Sequence, residues 1–226
     1  MPAELSDLES RARVHAALGD PARLAIVDRL AVSDASPGEI ARLLDVPTNL
    51  VAHHLGVLEA AGLIRRSRSE GDRRRSYLHL VSEAATGLVN PRLVPPARVV
   101  FVCTHNSARS QLAAALLAAR SPVEATSAGT EPAERIHPRA VTVGRRHRLR
   151  LGPARPVHIA DVVRPDDLVV SVCDTAHEHL TTAGQWLHWS IPDPARVDTD
   201  AAFEAAYAEI SDRMDRFVPV LSGGSS

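Results

Sequence analysis

Two residues near the middle of the chain, Cys103 and Arg109, have the types and the spacing needed to bind a tetrahedral anion. The sequence predicts a strand directly before them and a helix directly after. A loop between a parallel strand and a helix N-terminus directs backbone N–H groups toward one point, and the positive helix end favours a thiolate. An arginine can hold two anion oxygens at once. The pattern therefore predicts an oxyanion site with a cysteine nucleophile, formed by Cys103, Thr104, His105, Asn106, Ser107, Ala108, Arg109 and Ser110.

Cys-x5-Arg spacing alone is weak evidence, because all 26 basic residues of this chain are arginine. The alternative is a buried cysteine at a strand end with an ordinary surface arginine. The strand before, the helix after and the small polar loop between favour the oxyanion site. Within it, we expect Ser110 to donate a hydrogen bond to the Cys103 sulfur and Asn106 to fix the loop's own backbone.

The elements around this loop alternate between strands and helices. This alternation predicts an α/β fold with a parallel sheet covered on both faces. The predicted strands are 99–102, 123–128, 167–172 and 185–189, and the predicted helices are 110–120, 138–148 and 201–217.

Four segments resemble, in the same order, the low-molecular-weight tyrosine phosphatase fold and specifically its arsenate reductase branch. The resemblance spans about residues 98–218, and the phosphatases proper resemble the chain only in the first segment. The segments are Cys-Thr-His-Asn-Ser-Ala-Arg-Ser-Gln from Cys103, Ser-Ala-Gly-Thr-Glu-Pro-Ala-Glu-Arg from Ser127 with His137-Pro138, Val-Cys-Asp from Val172, and His-Trp-Ser-Ile-Pro-Asp-Pro from His188.

The resemblance implies thiol-dependent reduction of arsenate to arsenite. It gives Cys103 the role of nucleophile, Arg109 that of oxyanion clamp and Asp193 that of general acid. The acid role is physically reasonable, because arsenate must lose an oxygen as water when the thiolate adds. Without the resemblance, Asp193 is equally well a turn residue, since the Asp-Pro dipeptide at Asp20 is interpreted as a helix cap.

Reduction also needs a second thiol, and the chain has one further cysteine, Cys173. It follows the apolar strand 167–172, so it is expected at the same edge of the sheet. We expect Cys173 to attack the Cys103 sulfur, release arsenite and leave a disulfide. The alternative is a structural cysteine.

Thioredoxin-coupled members of the branch carry a third cysteine seven positions further along, where this chain has Leu180. We therefore expect no bound cofactor but an external reductant, either a thioredoxin-type partner protein or a small thiol such as mycothiol with a mycoredoxin. The nearby His177 and His179 are interpreted as surface histidines on a helix. Two other functions stay open: hydrolysis of phosphate monoesters, which does not need Cys173, and a transcription regulator whose second domain senses arsenic.

The N-terminal third of the chain is predicted to form helices followed by a hairpin. Helices begin after Asp20, at a Ser36 capping box and at Thr48, which is expected to cap the third of them. Strands at 63–69 and 76–81 complete the hairpin. A helix-turn-helix followed by an arginine-rich hairpin is a winged-helix arrangement.

The segment from Thr48 to Ile64 resembles the recognition helix of ArsR-type winged-helix repressors, and the resemblance covers about residues 10–81. It implies a homodimer through this domain and operator DNA as a partner. The cysteines of the family's common sensing site are absent and the histidines match no metal site, so no metal is expected. The alternative to DNA binding is a domain that serves only for dimerisation. The implied DNA contacts are Thr48, Asn49 and His53, with His54 on the same DNA-facing helix, for the major groove, and Arg65, Arg68, Arg73, Arg74 and Arg75 for phosphate.

The bulk properties of the 226-residue chain fit two linked domains. No apolar run reaches the length of a membrane span and no secretory signal opens the chain, so the default expectation is a cytoplasmic location. The net charge of −1 hides the arginine cluster between 65 and 75. The predicted organisation is a winged-helix domain at 1–83, a proline-containing linker at 84–97, the reductase-like domain at 98–221 and a disordered Gly-Ser tail at 222–226.

Overall fold

The computed structural model describes residues 2–81, 87–89, 91, 93–151, 155–180 and 186–221. The chain divides into two compact units. The first comprises residues 1–69 and 73–92, and the second comprises residues 70–72 and 93–226, so the main boundary lies inside the predicted linker. The predicted tail at 222–226 lies outside the described residues. Among the helices that are described, none is both long enough and apolar enough to cross a membrane.

In the described residues, the first unit contains four helices and a two-stranded antiparallel hairpin. Its core contains side chains from all four of these helices and from the hairpin, including Ala17, Ile26, Ile40, Leu55 and Leu78. The helices are α1 (Pro2–Leu18), α2 (Pro21–Val32), α3 (Pro37–Leu44) and α4 (Thr48–Ala60), and the strands are β1 (Ile64–Arg68) and β2 (Ser76–Leu80).

Two of the three predicted helix caps are confirmed. Asp20 accepts a hydrogen bond from the Arg23 N–H, and Ser36 with Glu39 forms a complete capping box. The third prediction is wrong, because Thr48 is the first residue of α4 and no side chain caps that helix. The proline before Thr48 instead starts the helix by fixing an extended backbone.

The second unit is an α/β domain with one four-stranded sheet in the order β4-β3-β5-β6, and all of its strand pairs are parallel. The predicted fold class is therefore confirmed. The strands are β3 (Arg98–Cys103), β4 (Glu124–Gly129), β5 (Leu168–Ser171) and β6 (Trp186–His188). The helices are α5 (Arg109–Arg120), α6 (Pro138–Arg146), α7 (Ile159–Val162), α8 (Asp174–His179), α9 (Pro194–Val197) and α10 (Asp200–Leu221).

Helix α10 extends beyond its predicted end at residue 217 and passes through Pro219. A proline inside a helix removes a backbone hydrogen bond. Here the buried side chains Met214, Phe217 and Leu221 continue one apolar face at helical spacing. We infer that the packing of this face outweighs the cost of the proline.

The register of the sheet brings the carboxyl ends of its strands to one edge. Cys103 pairs with Gly129, and Ser171 pairs with His188. The segments that follow these residues therefore emerge together, at the edge where open parallel sheets bind ligands.

Candidate active site

The loop after β3 is held by backbone hydrogen bonds to the segment that follows β4. Four of its carbonyl oxygens accept from that segment, so the loop N–H groups are left to face the opposite side. The N–H of Asn106 accordingly donates to Cys103 Sγ over 3.2 Å. The four bonds run from the N–H groups of Thr130, Glu131, Ala133 and His137 to the carbonyl oxygens of Cys103, Thr104, His105 and Ser107, over 3.2, 2.8, 3.0 and 2.9 Å.

Gly129 allows the loop to pack directly against the end of β4. A Cβ atom at this position would lie 2.7 Å from the Thr104 carbonyl oxygen and 3.0 Å from the Asn106 nitrogen. Both neighbours are backbone atoms of the loop, which cannot move without changing its shape. A side chain at position 129 is therefore incompatible with this loop conformation.

Asn106 is fully buried, and its positive φ of 50° places it in the left-handed region that asparagine tolerates. Its side-chain N–H₂ donates to the hydroxyls of Ser110 and Ser127, over 2.9 Å each. Its oxygen accepts from the Val157 N–H and from Gln111. Asn106 therefore ties the loop to α5, to β4 and to the segment before α7, rather than to the loop's own backbone as the sequence suggested.

The two cysteines are both buried and both free. Cys103 Sγ lies 3.1 Å from the Ser110 hydroxyl, the contact expected from the sequence. Cys173 occupies the N-cap position of α8, where its sulfur accepts from the Ala176 N–H. Cys173 Sγ also lies 3.5 Å from the Thr104 hydroxyl, so the second thiol contacts the residue directly after the first.

The ionisation of Cys173 depends on its surroundings. Burial raises the pKa of its thiol, the positive charge of Arg109 lowers it, and negative charge at Cys103 raises it further. The net effect is a pKa above the ordinary value. Its surroundings therefore favour the neutral form of the Cys173 thiol.

Arg109 is the first residue of α5 and is buried. Its Nη1 donates to the Ile191 carbonyl oxygen over 2.9 Å, and its Nη2 lies 3.0 Å from Asp193 Oδ2. Burial disfavours the charge, but attraction to the neighbouring acidic groups, among them Asp193, raises the pKa of the guanidinium. The clamp predicted from the sequence is therefore a fixed cation facing the thiols.

Asp193 is held at both of its carboxylate oxygens. Oδ1 accepts from the Ala195 N–H and caps α9, while Oδ2 pairs with Arg109. Asp193 is thus both the turn residue that the sequence allowed and a group placed beside the clamp.

The structure brings the four predicted catalytic residues to one site. Thr104, His105, Arg109, Cys173 and Asp193 line one pocket at the carboxyl edge of the sheet. Cys103 lies beside them at the end of β3, while Ser107 contributes its carbonyl oxygen to the loop anchors and Ala108 is the residue before α5. Other residues at this pocket are Glu131, Asp174, Thr175, Ala195 and Arg196.

A group of buried polar residues beside Cys173 was missed from the sequence: Ser171, Asp174 and His188. His177 joins them and is half-buried, so the prediction of a surface histidine is wrong for His177, whereas His179 is exposed. The signal in the sequence is a polar residue inside a short apolar run, at the ends of β5 and β6.

The predicted DNA contacts belong to the first unit. Thr48, Asn49 and His53 are exposed on α4, and His54 lies on the same helix but is buried. The predicted arginines, Arg65, Arg68, Arg73, Arg74 and Arg75, are all exposed.

Strand alternation places Arg65 and Arg68 on opposite faces of the hairpin. One further exposed arginine, Arg66, pairs with Glu59 of α4 over 3.1 Å. In the part of the chain that the structure describes, no cluster of three or more His, Cys, Asp or Glu residues is arranged to hold a metal ion.

Comparison with known proteins gives two family matches. Residues 98–223 match the low molecular weight phosphotyrosine protein phosphatase model, and residues 18–67 match a helix-turn-helix domain model. The first match covers more than half of the chain. Comparison with curated proteins gives no match.

Solved structures similar to the chain include both reductases and phosphatases. An arsenate reductase from Archaeoglobus fulgidus is 33% identical over 53% of this chain and 98% of its own, with a TM-score of 0.47. The tyrosine phosphatase AmsI from Erwinia amylovora is 23% identical over 56% and 94%, with a TM-score of 0.50. An arsenate reductase in its oxidised state is 21% identical over 55% and 98%, also with a TM-score of 0.50.

The last two likenesses, at this level of identity, show the shared fold of residues 98–221 and do not separate the two activities. The family matches confirm the predicted fusion of two domains. The chain belongs to the low-molecular-weight phosphotyrosine protein phosphatase family and carries an N-terminal helix-turn-helix domain.

Proposed function

We propose that the chain reduces arsenate to arsenite, with Cys103 as the nucleophile and Cys173 as the resolving thiol. The observation that carries the proposal is the second buried thiol at the oxyanion loop, 3.5 Å from the Thr104 hydroxyl. Hydrolysis of a phosphate monoester needs one thiol, a clamp and an acid. Reduction by the chain's own thiols needs a second cysteine at this site, and the chain has one.

The first step forms an adduct. Arsenate binds against the loop N–H groups and Arg109, and the Cys103 thiolate attacks arsenic. An As–O bond breaks, and Asp193 gives a proton to the oxygen that leaves as water. Because Asp193 pairs with Arg109 in the described structure, an incoming oxyanion competes for the guanidinium and releases the carboxyl group.

The second step reduces arsenic. The Cys173 thiolate attacks the Cys103 sulfur, the S–As electron pair stays on arsenic, and As(V) becomes As(III). Arsenite leaves, and the two thiols are oxidised to a disulfide. Cys173 must lose its proton first, which its raised pKa opposes at neutral pH. This step is therefore expected to accelerate as the pH rises toward the pKa of that thiol.

The third step restores the thiols and needs two electrons from outside the chain. Leu180, the residue after α8, stands where a third cysteine would relay the disulfide. The reductant is therefore a thioredoxin-type protein that attacks the Cys103–Cys173 disulfide. In the alternative, a small thiol such as mycothiol attacks the Cys103 sulfur of the adduct in place of Cys173, arsenite leaves, and a mycoredoxin reduces the mixed disulfide.

Arsenite release under turnover tests the proposal. The wild type, Cys103→Ser and Cys173→Ala are supplied with arsenate and, in parallel, with thioredoxin or with mycothiol plus mycoredoxin. We expect arsenite from the wild type and none from Cys103→Ser, with Cys173→Ala inactive in the thioredoxin system. Hydrolysis of an aryl phosphate that survives Cys173→Ala, without arsenite from any variant, would establish a phosphatase instead.

For the N-terminal domain we propose binding to double-stranded operator DNA as a homodimer. The supporting observation is the exposed face of α4 with Thr48, Asn49 and His53, beside a hairpin of exposed arginines. Fluorescence anisotropy at moderate salt, with DNA from upstream of the gene against a scrambled duplex, tests this proposal. Equal affinity for the two duplexes would contradict it. Release of the DNA by arsenite in the wild type but not in Cys103→Ser would favour a sensor.

A further inference from the structure

A buried hydrogen-bonded group connects β5, β6 and α8 directly beside Cys173. His188 Nε2 lies 3.0 Å from Asp174 Oδ1, and His188 Nδ1 lies 3.0 Å from the Ser171 hydroxyl. Asp174 also accepts a hydrogen bond from Ser190. The ring of His177 stacks on that of His188 with 4.1 Å between centroids and covers one of its faces. His188 and Asp174 are almost completely excluded from solvent.

The hydrogen-bond pattern assigns a charge to His188. Its Nε2 faces the Asp174 carboxylate, and burial opposes ionisation there, but the bond from His188 lowers the pKa of Asp174 below its ordinary value. Its Nδ1 faces the Ser171 hydroxyl and carbonyl oxygen, and that hydroxyl donates its proton to the Leu187 carbonyl. From these contacts we infer that both ring nitrogens carry hydrogen and that His188 is the imidazolium partner of Asp174.

The position of this pair matters because Asp174 directly follows Cys173 and is the first residue of α8. The first turn of α8 also holds the Cys173 sulfur through the Ala176 N–H. On the other side, the segment after His188 supplies the Ile191 carbonyl that holds Arg109, and then Asp193. The His188–Asp174 pair therefore links the end of β6 to the turn of α8 that carries the second thiol, while Arg109 is held by Ile191 and Asp193 further along the segment.

We propose that His188 is a positioning residue for the resolving thiol: its imidazolium, paired with Asp174, fixes the first turn of α8 so that Cys173 stays within reach of Cys103. This inference rests on the proposed role of Cys173. It predicts that His188 affects formation of the Cys103–Cys173 disulfide and not oxyanion binding, because the loop is anchored by Asn106 and by the segment after β4.

The test measures the disulfide equilibrium of the full chain in glutathione buffers without arsenic. One glutathione disulfide is reduced to two glutathione molecules as the Cys103–Cys173 bond forms, and mass spectrometry after alkylation gives the fraction oxidised. We expect His188→Leu to lower the equilibrium constant for this bond about 10- to 100-fold, the size of a misplacement near 1 Å. His188→Gln, whose amide still donates to Asp174, should recover part of the loss. His179→Gln, on the exposed side of α8, is the matched control and should match the wild type.

Two further measurements separate positioning from general stability. The Kd for inorganic phosphate should be the same in the wild type, His188→Leu and His188→Gln. The second measurement is the ratio of the disulfide equilibrium constant of the wild type to that of His188→Gln, taken at several pH values. This ratio should fall as the pH rises, because His188 loses its charge and glutamine does not titrate. The groups that face His188 are Asp174 and His177 of α8 and Ser171 of β5, and all are kept in both proteins.

Unchanged disulfide formation in His188→Leu would overturn the inference, as would an equal loss of phosphate binding or a ratio that is independent of pH. If His188→Leu does not fold, the disulfide equilibria of His188→Gln and Asp174→Asn test the inference instead. Both substitutions remove the charged pair and keep a hydrogen bond. The assay contains no arsenic. A failure to reduce arsenate would therefore contradict the proposed function and leave this result in place.

Discussion

The oxyanion site and the α4–hairpin surface position their functional residues in opposite ways. Around Cys103, buried side chains and backbone bonds hold the functional groups: Arg109 bonds the Ile191 carbonyl and pairs with Asp193, and the Asn106 side chain has four partners. On α4 and the hairpin, Asn49, His53 and the predicted arginines are exposed at the surface. The packing around the buried groups restricts their orientation, whereas exposed side chains can reorient. Substitutions should therefore have large effects in the first region and small, salt-dependent effects in the second.

The largest effect is expected from Arg109→Lys. Lysine keeps one positive charge but cannot bond both the Ile191 carbonyl and an oxyanion in the same geometry. We expect turnover to fall about 100- to 1,000-fold, as for loss of a major oxyanion contact, with weaker phosphate binding by calorimetry. Arg120→Lys, at the opposite end of the same helix and paired with Asp215, is the control. Wild-type phosphate affinity in Arg109→Lys would mean that the loop alone holds the anion.

The next effect is expected from Asp193→Asn. Asparagine still caps α9 through the Ala195 N–H but has no proton to give to the leaving oxygen. Adduct formation, followed by rapid-quench mass spectrometry, should slow about 100-fold. Asp198→Asn, at the other end of α9 in a left-handed conformation that asparagine accepts, should have no effect. If adducts form at the same rate in Asp193→Asn and Asp198→Asn, Asp193 is a turn residue and not the general acid.

A smaller effect is expected on the free energy of unfolding when one glycine from each region is replaced by alanine. In Gly129→Ala the new Cβ meets the loop backbone, and the free energy of unfolding should fall by about 1–3 kcal/mol, with loss of phosphate binding. Gly56→Ala places a methyl group in open space on α4 and should raise stability by about 0.5–1 kcal/mol. Urea denaturation measures both changes. A harmless Gly129→Ala would show that the loop is less constrained than its contacts indicate.

The smallest effects are expected at the hairpin. Arg68→Ala and Arg73→Ala should each lower the slope of log K against log salt by about one for a duplex of random sequence. Arg164→Ala, an exposed arginine of the other domain, is the control. Anisotropy titrations at several salt concentrations measure these slopes. Unchanged slopes in both hairpin variants would show that these arginines do not contact DNA.

The features that could be predicted from the sequence are those determined by residues close together in the chain. The Cys103–Arg109 loop is contiguous, the capping box at Ser36 needs four neighbouring residues, and the strand before Cys173 marks an edge of the sheet. The hairpin strands follow from the Glu70-Gly71-Asp72 turn between them.

The remainder depends on tertiary register. Asn106 finds Val157 and Ser127 only because β4 and the segment before α7 lie beside the loop. His188 contacts Asp174 because β5 and β6 pair in parallel. The spacing of the two residues in the sequence does not predict that contact. Helices α7 and α9 have four residues each, too few to show a helical period.

The most direct test of the central claim is a single turnover without external thiol. Reduced protein is mixed with arsenate and quenched, and arsenite and the Cys103–Cys173 disulfide are quantified together by mass spectrometry. The account predicts one arsenite for each disulfide formed, and neither product from Cys103→Ser or Cys173→Ala. Arsenite release that persists in Cys173→Ala, or a wild type that forms no disulfide while it hydrolyses an aryl phosphate, would contradict the account.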